Sequence, residues 1–208
     1  MNPTTFSPTA ARVYGWATIL APVLLLASTL AFIAEDGIND GVGGGTVGVW
    51  STFAFVIAFA GVYRMIEPRL PRVGPIFMAL TLIGFTAGTA FNVQAMYYGA
   101  YGTDLLADLS EGRLPDAPAV GVFAFVPWGL LVPATLVATG ILLWVSRTVP
   151  KWSAALLILG GVLFVASRPE RINALAIVAD LVLVAAMAPI GWTLVRRRQV
   201  VSDVIATE

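Results

Sequence analysis

The chain has 208 residues, 58% of them hydrophobic and only 12% charged, a composition outside the range of water-soluble domains and inside that of membrane proteins. Basic and acidic residues balance at zero net charge, so nothing draws the chain to nucleic acid, and the partner it calls for is the lipid bilayer. Cysteine and histidine are both absent, which removes disulfides, thiol nucleophiles, imidazole ligation of haem, most zinc chemistry and the commonest general base. Neither a cofactor nor an enzymatic activity is expected.

Six apolar stretches follow one another, near residues 11–34, 47–66, 75–98, 121–145, 153–167 and 172–195. About 20 apolar residues in a helix span roughly 30 Å of hydrocarbon, so the pattern predicts an all-α bundle with six transmembrane helices. Residues 1–208 form one transmembrane domain, ending in a short tail over 196–208.

The first stretch is too long for a cleaved leader, and Phe32 sits where a small residue should precede cleavage after Ala34. It reads as a retained helix. The connection from Glu35 to Thr46 reads as a flexible, solvated connector because of its glycines, and Asp36, Asn39 and Asp40 lack the spacing of a calcium loop. In the third stretch, Gly84 and Gly88 form a GxxxG pair suited to close helix packing.

The connection over residues 99–120 holds a short amphipathic helix, capped by Thr103 and carrying Leu105, Leu106 and Leu109 on one face. It lies on the membrane surface or serves as a lid. Pro127 and Pro133 interrupt the fourth stretch, as a hinge or a static kink. The fifth is the shortest, and its Gly160 and Gly161 give a second flat surface.

Basic residues in short loops stay in the cytoplasm. Arg12, Arg64, Arg69, Arg72, Arg147, Lys151 and Arg196 to Arg198 fall on one side, against Arg113, Arg168 and Arg171 on the other. Both termini are therefore expected in the cytoplasm. Trp and Tyr residues concentrate near both predicted boundaries, as interfacial aromatics do.

Asp180 is the one ionisable residue well inside a predicted span, where an acid costs about 2.5–3.5 kcal/mol unless it faces protein or water. Counting the other helices to the same depth brings up Asn92, Ser28, Thr29, Ser51, Thr52 and Trp128. Asn173 shares a face with Asp180, and Thr81, Gly88, Thr89 and Asn92 make a polar stripe on the third helix. Facing stripes would form an outward-opening pocket, with Asp180, Asn92, Ser28, Ser51 and Trp128 as candidate ligand-binding residues. Gln94 is expected to point away from it. Two readings of Asp180 stand: a functional carboxylate that binds a cation, an amine or a proton, or structural glue bonded to Asn92 or a hydroxyl. On the functional reading, Asp180→Asn should leave folding intact.

The helix entries Ala11-Arg12-Val13-Tyr14-Gly15 and Val149-Pro150-Lys151-Trp152, with the Leu-rich run ending at Gly160-Gly161, resemble the uncharacterised six-span bacterial membrane proteins grouped in families of unknown function. That resemblance implies a multi-pass protein of the bacterial cytoplasmic membrane, and it brings no catalytic or binding residues with it. The expected activity is binding or transport of a small solute or proton at the pocket around Asp180. The alternative is an accessory or scaffolding subunit that docks a homo-oligomer or a larger membrane complex through its small-residue faces.

Overall fold

Ser7 opens the first helix by accepting a hydrogen bond from the Ala10 backbone N–H at 3.2 Å, with Pro8 at the first helical position, where its missing donor has no partner to lose. The computed structural model describes residues 7–102 and 127–196. They form six helices: α1 (Pro8–Ala34), α2 (Val42–Ile66), α3 (Val73–Tyr101), α4 (Leu131–Ser146), α5 (Lys151–Ser167) and α6 (Asn173–Arg196). The protein is an all-α bundle in which five helical segments are long and apolar enough to cross a membrane. The remaining one, α5, has 17 residues and rises only about 25 Å at 1.5 Å per residue.

Each helix packs antiparallel against the next, and α1 returns against α6 to close the ring. The register is visible in the hydroxyl bonds. Ser28 donates to the Gly44 carbonyl and Ser51 to the Ala21 carbonyl, joining α1 to α2 in opposite directions, while Ser153 donates to the Ala186 carbonyl between α5 and α6. At the other seams, Thr52 bonds Thr89 between α2 and α3, and the Tyr63 hydroxyl bonds both Thr81 and Thr139, tying α2, α3 and α4. Ser7 and Arg196 thus lie at one end, called here the terminal end, with the α1–α2 and α5–α6 turns at the distal end.

Close approach needs small residues. A Cβ on Gly191 would lie 2.6 Å from the Gly15 carbonyl oxygen, so the α1–α6 contact is backbone to backbone and only glycine fits. The core between α2 and α3 is aromatic: Phe55, Phe59 and Tyr63 recur every four residues on α2, and Phe85 of α3 lies 5.1 Å from Phe55 and 5.7 Å from Phe59. Such spacing places all three on one helix face, where offset stacking adds to burial.

The structure departs from the sequence reading between α1 and α2. The α1–α2 connection is ordered rather than flexible, and α2 begins at Val42 rather than near residue 47. Its first turn is held by the Glu35 carboxylate, which accepts from the Gly43 N–H at 2.9 Å, while Ile38 is buried beneath the turn. Pro133 has no N–H to bond the Gly129 carbonyl, and the fourth span is interrupted at Leu130, between helical residues 127–129 and α4. The small faces at Gly84, Gly160 and Gly161 pack against neighbouring helices as the sequence suggested, on Leu131, Leu183 and Val137 respectively. The predicted helix over 103–120 and its lid reading lie outside the described residues.

Reversible unfolding in mixed micelles should show Tyr63→Phe losing about 0.6–1.7 kcal/mol, the range of a membrane interhelical hydrogen bond. Gly191→Val should lose more, about 1–3 kcal/mol or beyond, because its new methyls meet backbone that has no room to move. A Gly191→Val protein as stable as wild type would contradict the α1–α6 contact.

Candidate functional site

Asp180 lies two turns into α6 and is fully buried. Its Oδ2 accepts from the Thr29 hydroxyl at 2.5 Å, which ties α1 to α6. The opposite charge comes from Arg168, the residue that caps the C-terminus of α5. Arg168 Nη2 lies 3.0 Å from Asp180 Oδ1, 2.9 Å from Oδ2 and 2.7 Å from Thr29 Oγ1. The guanidinium carbon also sits 5.0 Å from the centre of the Phe164 ring, one turn back on α5. Three helices meet at one charge pair.

The shortness of α5 makes this possible. The helix stops at Ser167, so Arg168 starts below the level of the distal turn and its long stem carries the charge further inward to the depth of Asp180. A second pair sits nearer the surface of the same end, where Arg171 Nη1 meets Asp40 Oδ2 at 2.8 Å and links the two distal turns.

A cavity of about 370 Å³ opens beside these pairs in the distal half of the bundle. It lies within the size range of small-molecule sites. Its floor and walls are aromatic and aliphatic, with Phe32, Phe55, Phe85, Phe91 and Phe164 prominent. Polar groups gather around it from α1 (Ser28), α2 (Ser51, Thr52), α3 (Asn92, Gln94) and the end of α5 (Arg168). The cavity reaches the α3–α4 seam at Phe91, Gly129 and Leu130.

The residues singled out from the sequence are distributed unevenly around this space. Ser28, Ser51 and Asn92 line the cavity, but each already has a backbone partner, since Asn92 Nδ2 donates to the Gly88 carbonyl at 3.1 Å and the two serines bond across α1 and α2. Asp180 does not line it. The carboxylate lies behind Arg168, and its partners are Arg168 and Thr29 rather than Asn92. The stripe on α3 faces α2, where Thr89 meets Thr52 and Thr81 meets Tyr63, so it does not face α6.

Trp128 is 38% exposed, and its segment contributes Gly129 and Leu130 to the cavity instead. Asn173 is exposed at the start of α6, whereas Gln94, expected to point away, lines the cavity. Arg168 is the residue that sequence reasoning passed over. Counted as one more loop arginine, it carried a signal only in the shortness of the helix before it.

No protein-family model matches the chain, and neither the curated proteins nor the solved structures contain a match to it. Among the described residues, no group of acidic side chains is placed to hold a metal ion. The arrangement presents an apolar space with one edge of a fixed guanidinium in its wall.

The ion pair changes the expectation for Asp180. Removing one partner of a buried pair strands the other charge, a loss of about 3–5 kcal/mol, whereas replacing both by apolar groups is often neutral. Asp180→Asn should therefore destabilise the folded protein markedly, and Arg168→Met with Asp180→Leu should recover most of the loss. A double-mutant cycle in micelles that gives additive effects would mean the two side chains do not interact.

Proposed function

We propose that this protein is a six-span protein of the bacterial cytoplasmic membrane, with both termini in the cytoplasm, that binds a small solute in the distal cavity from the outer half of the bilayer. One observation carries the reading. A cavity large enough for a small molecule lies beside a guanidinium that Asp180 and Thr29 hold in place. A purely structural ion pair would be better sealed by side chains than set in a cavity wall.

The orientation rests on charge. At the terminal end, Arg64, Lys151 and Arg196 each lie over an aromatic ring, Tyr14, Trp144 and Trp192, at 5.7, 5.5 and 5.2 Å, as snorkelling cations do at a headgroup boundary. The two described arginines at the distal end are both ion-paired, so their charges oppose the vote less than a simple count suggests. Proton exchange at Asp180 fits less well than solute binding, because the carboxylate is sealed from the cavity and both its oxygens are bonded to Arg168. Docking through the small-residue faces is also disfavoured, because Leu131, Leu183 and Val137 already fill them.

Two experiments test the reading. The chain has no native cysteine, so single-cysteine labelling in intact cells is clean. Arg72→Cys should be protected from a membrane-impermeant maleimide and Glu170→Cys should react, and the reverse pattern would overturn the orientation. In a thermal-shift screen of small solutes on purified protein, at least one compound should raise Tm by several degrees in wild type but not in Val132→Phe, which places a ring in the cavity. A stabilising effect of every hit that survives Val132→Phe unchanged would remove the cavity as the site.

A further inference from the structure

Charge and donor geometry in the cavity narrow the class of solute beyond the general reading above, on which this inference rests. The charged side chains that line the cavity among the described residues are Arg168 and Arg171, and each is paired with a carboxylate, Asp180 or Asp40. As a unit the wall is neutral. A ligand that brought its own charge into this apolar space would lose its hydration with no uncompensated counter-charge to meet it.

Hydrogen-bonding capacity is nonetheless left over: the amide oxygens of Asn92 and Gln94 can accept, and at Arg168 the capacity is donor alone. Arg168 directs Nη2 to Thr29 and Asp180, whereas among the described residues Nη1 has no hydrogen-bond partner; Nε has none either but is buried. A guanidinium has five N–H donors and no acceptor. Gln94 likewise has no hydrogen-bond partner among the described residues, and Asn92 commits one amide hydrogen to the Gly88 carbonyl and keeps another. The hydroxyl hydrogens of Ser28 and Ser51 are taken by backbone carbonyls. The cavity therefore offers donors near Arg168 and Gln94, above a floor where Phe55 and Phe85 stack.

We infer that the cavity takes an uncharged, mainly apolar molecule whose head is a carbonyl oxygen that accepts a hydrogen bond from Arg168 Nη1, with its ring or chain lying on the phenylalanine floor. A carbonyl supplies an acceptor without bringing charge. The apolar body matches the aromatic walls.

A matched series separates the possibilities: octanophenone, which has the ketone; octylbenzene, which lacks it; and 4-octylbenzoate, which replaces it with an anion. Tritiated octanophenone would be bound to the purified protein in lipid nanodiscs, with the other two as competitors. Wild type should prefer the ketone to both by about tenfold, the discrimination expected of one directed hydrogen bond. Arg168→Lys, which keeps the positive charge but removes the unshared guanidinium edge, should lose most of that preference. Gln94→Leu leaves the ion pair untouched and should weaken the ketone selectively, which keeps the test informative if Arg168→Lys does not fold.

Tighter binding of 4-octylbenzoate would overturn the inference in favour of an anion site, and equal binding of octylbenzene would overturn it in favour of a purely apolar one. In both cases, sensitivity to Val132→Phe would leave the cavity as a ligand site. Failure of all three compounds to bind would overturn the inference as well, and whether the general reading survives is then decided by the Val132→Phe thermal-shift screen.

Discussion

In hydrocarbon a lone carboxylate and a lone guanidinium are each expensive, and this bundle places one of each where neither can reach water easily. Asp180, Arg168 and Thr29 solve the problem jointly, with the guanidinium nitrogen within 3.0 Å of both carboxylate oxygens and the threonine hydroxyl bonded to each partner. The pair is neutral as a unit, but only if α1, α5 and α6 keep their relative depths. The short α5 and the position of Arg168 at its end belong to the same solution, because a longer helix would carry the arginine towards the headgroups.

Around that fixed point the seams are uneven. Hydroxyl bonds to neighbouring carbonyls join α1 to α2 and α5 to α6, and Tyr63 ties α2, α3 and α4 through two threonines in the terminal half. Membrane helices have little hydrophobic drive to associate, so small residues and hydroxyls decide which seams are tight. The α3–α4 seam is fastened at Tyr63 in the terminal half, and the cavity lies beside it in the distal half.

The comparison of residue types around the cavity gives it a chemical character. Serine hydroxyls that looked like ligand contacts in the sequence act as helix-to-helix bonds, and the acid that looked like the reactive group acts as the anchor for a base. Arg168 is the charged group with a donor to offer, beside the amides of Asn92 and Gln94. A buried acid in a membrane span marks a place where something must compensate it, and in this protein the compensating residue is the one that reaches the cavity.

The all-α class, the number of apolar segments and their approximate bounds follow from the sequence itself, since long apolar runs in lipid have few structures open to them besides helices. Asp180 stood out for the same reason, and depth counting along 1.5 Å per residue brought up Thr29, which proves to be one of its partners. Depth, however, is not direction. The sequence places Asn92 and Asp180 at one level, while rotation of each helix about its axis decides that Asn92 faces α2 and the cavity and that Asp180 faces Thr29 and Arg168. That rotation is set by contacts such as Gly15 on Gly191 and Gly161 on Val137, which pair residues far apart in the chain. The partner of Asp180 was hidden for a related reason: whether an arginine at a helix end points to water or folds back into the bundle depends on what the neighbouring helices present to it, and only the tertiary structure assembles them.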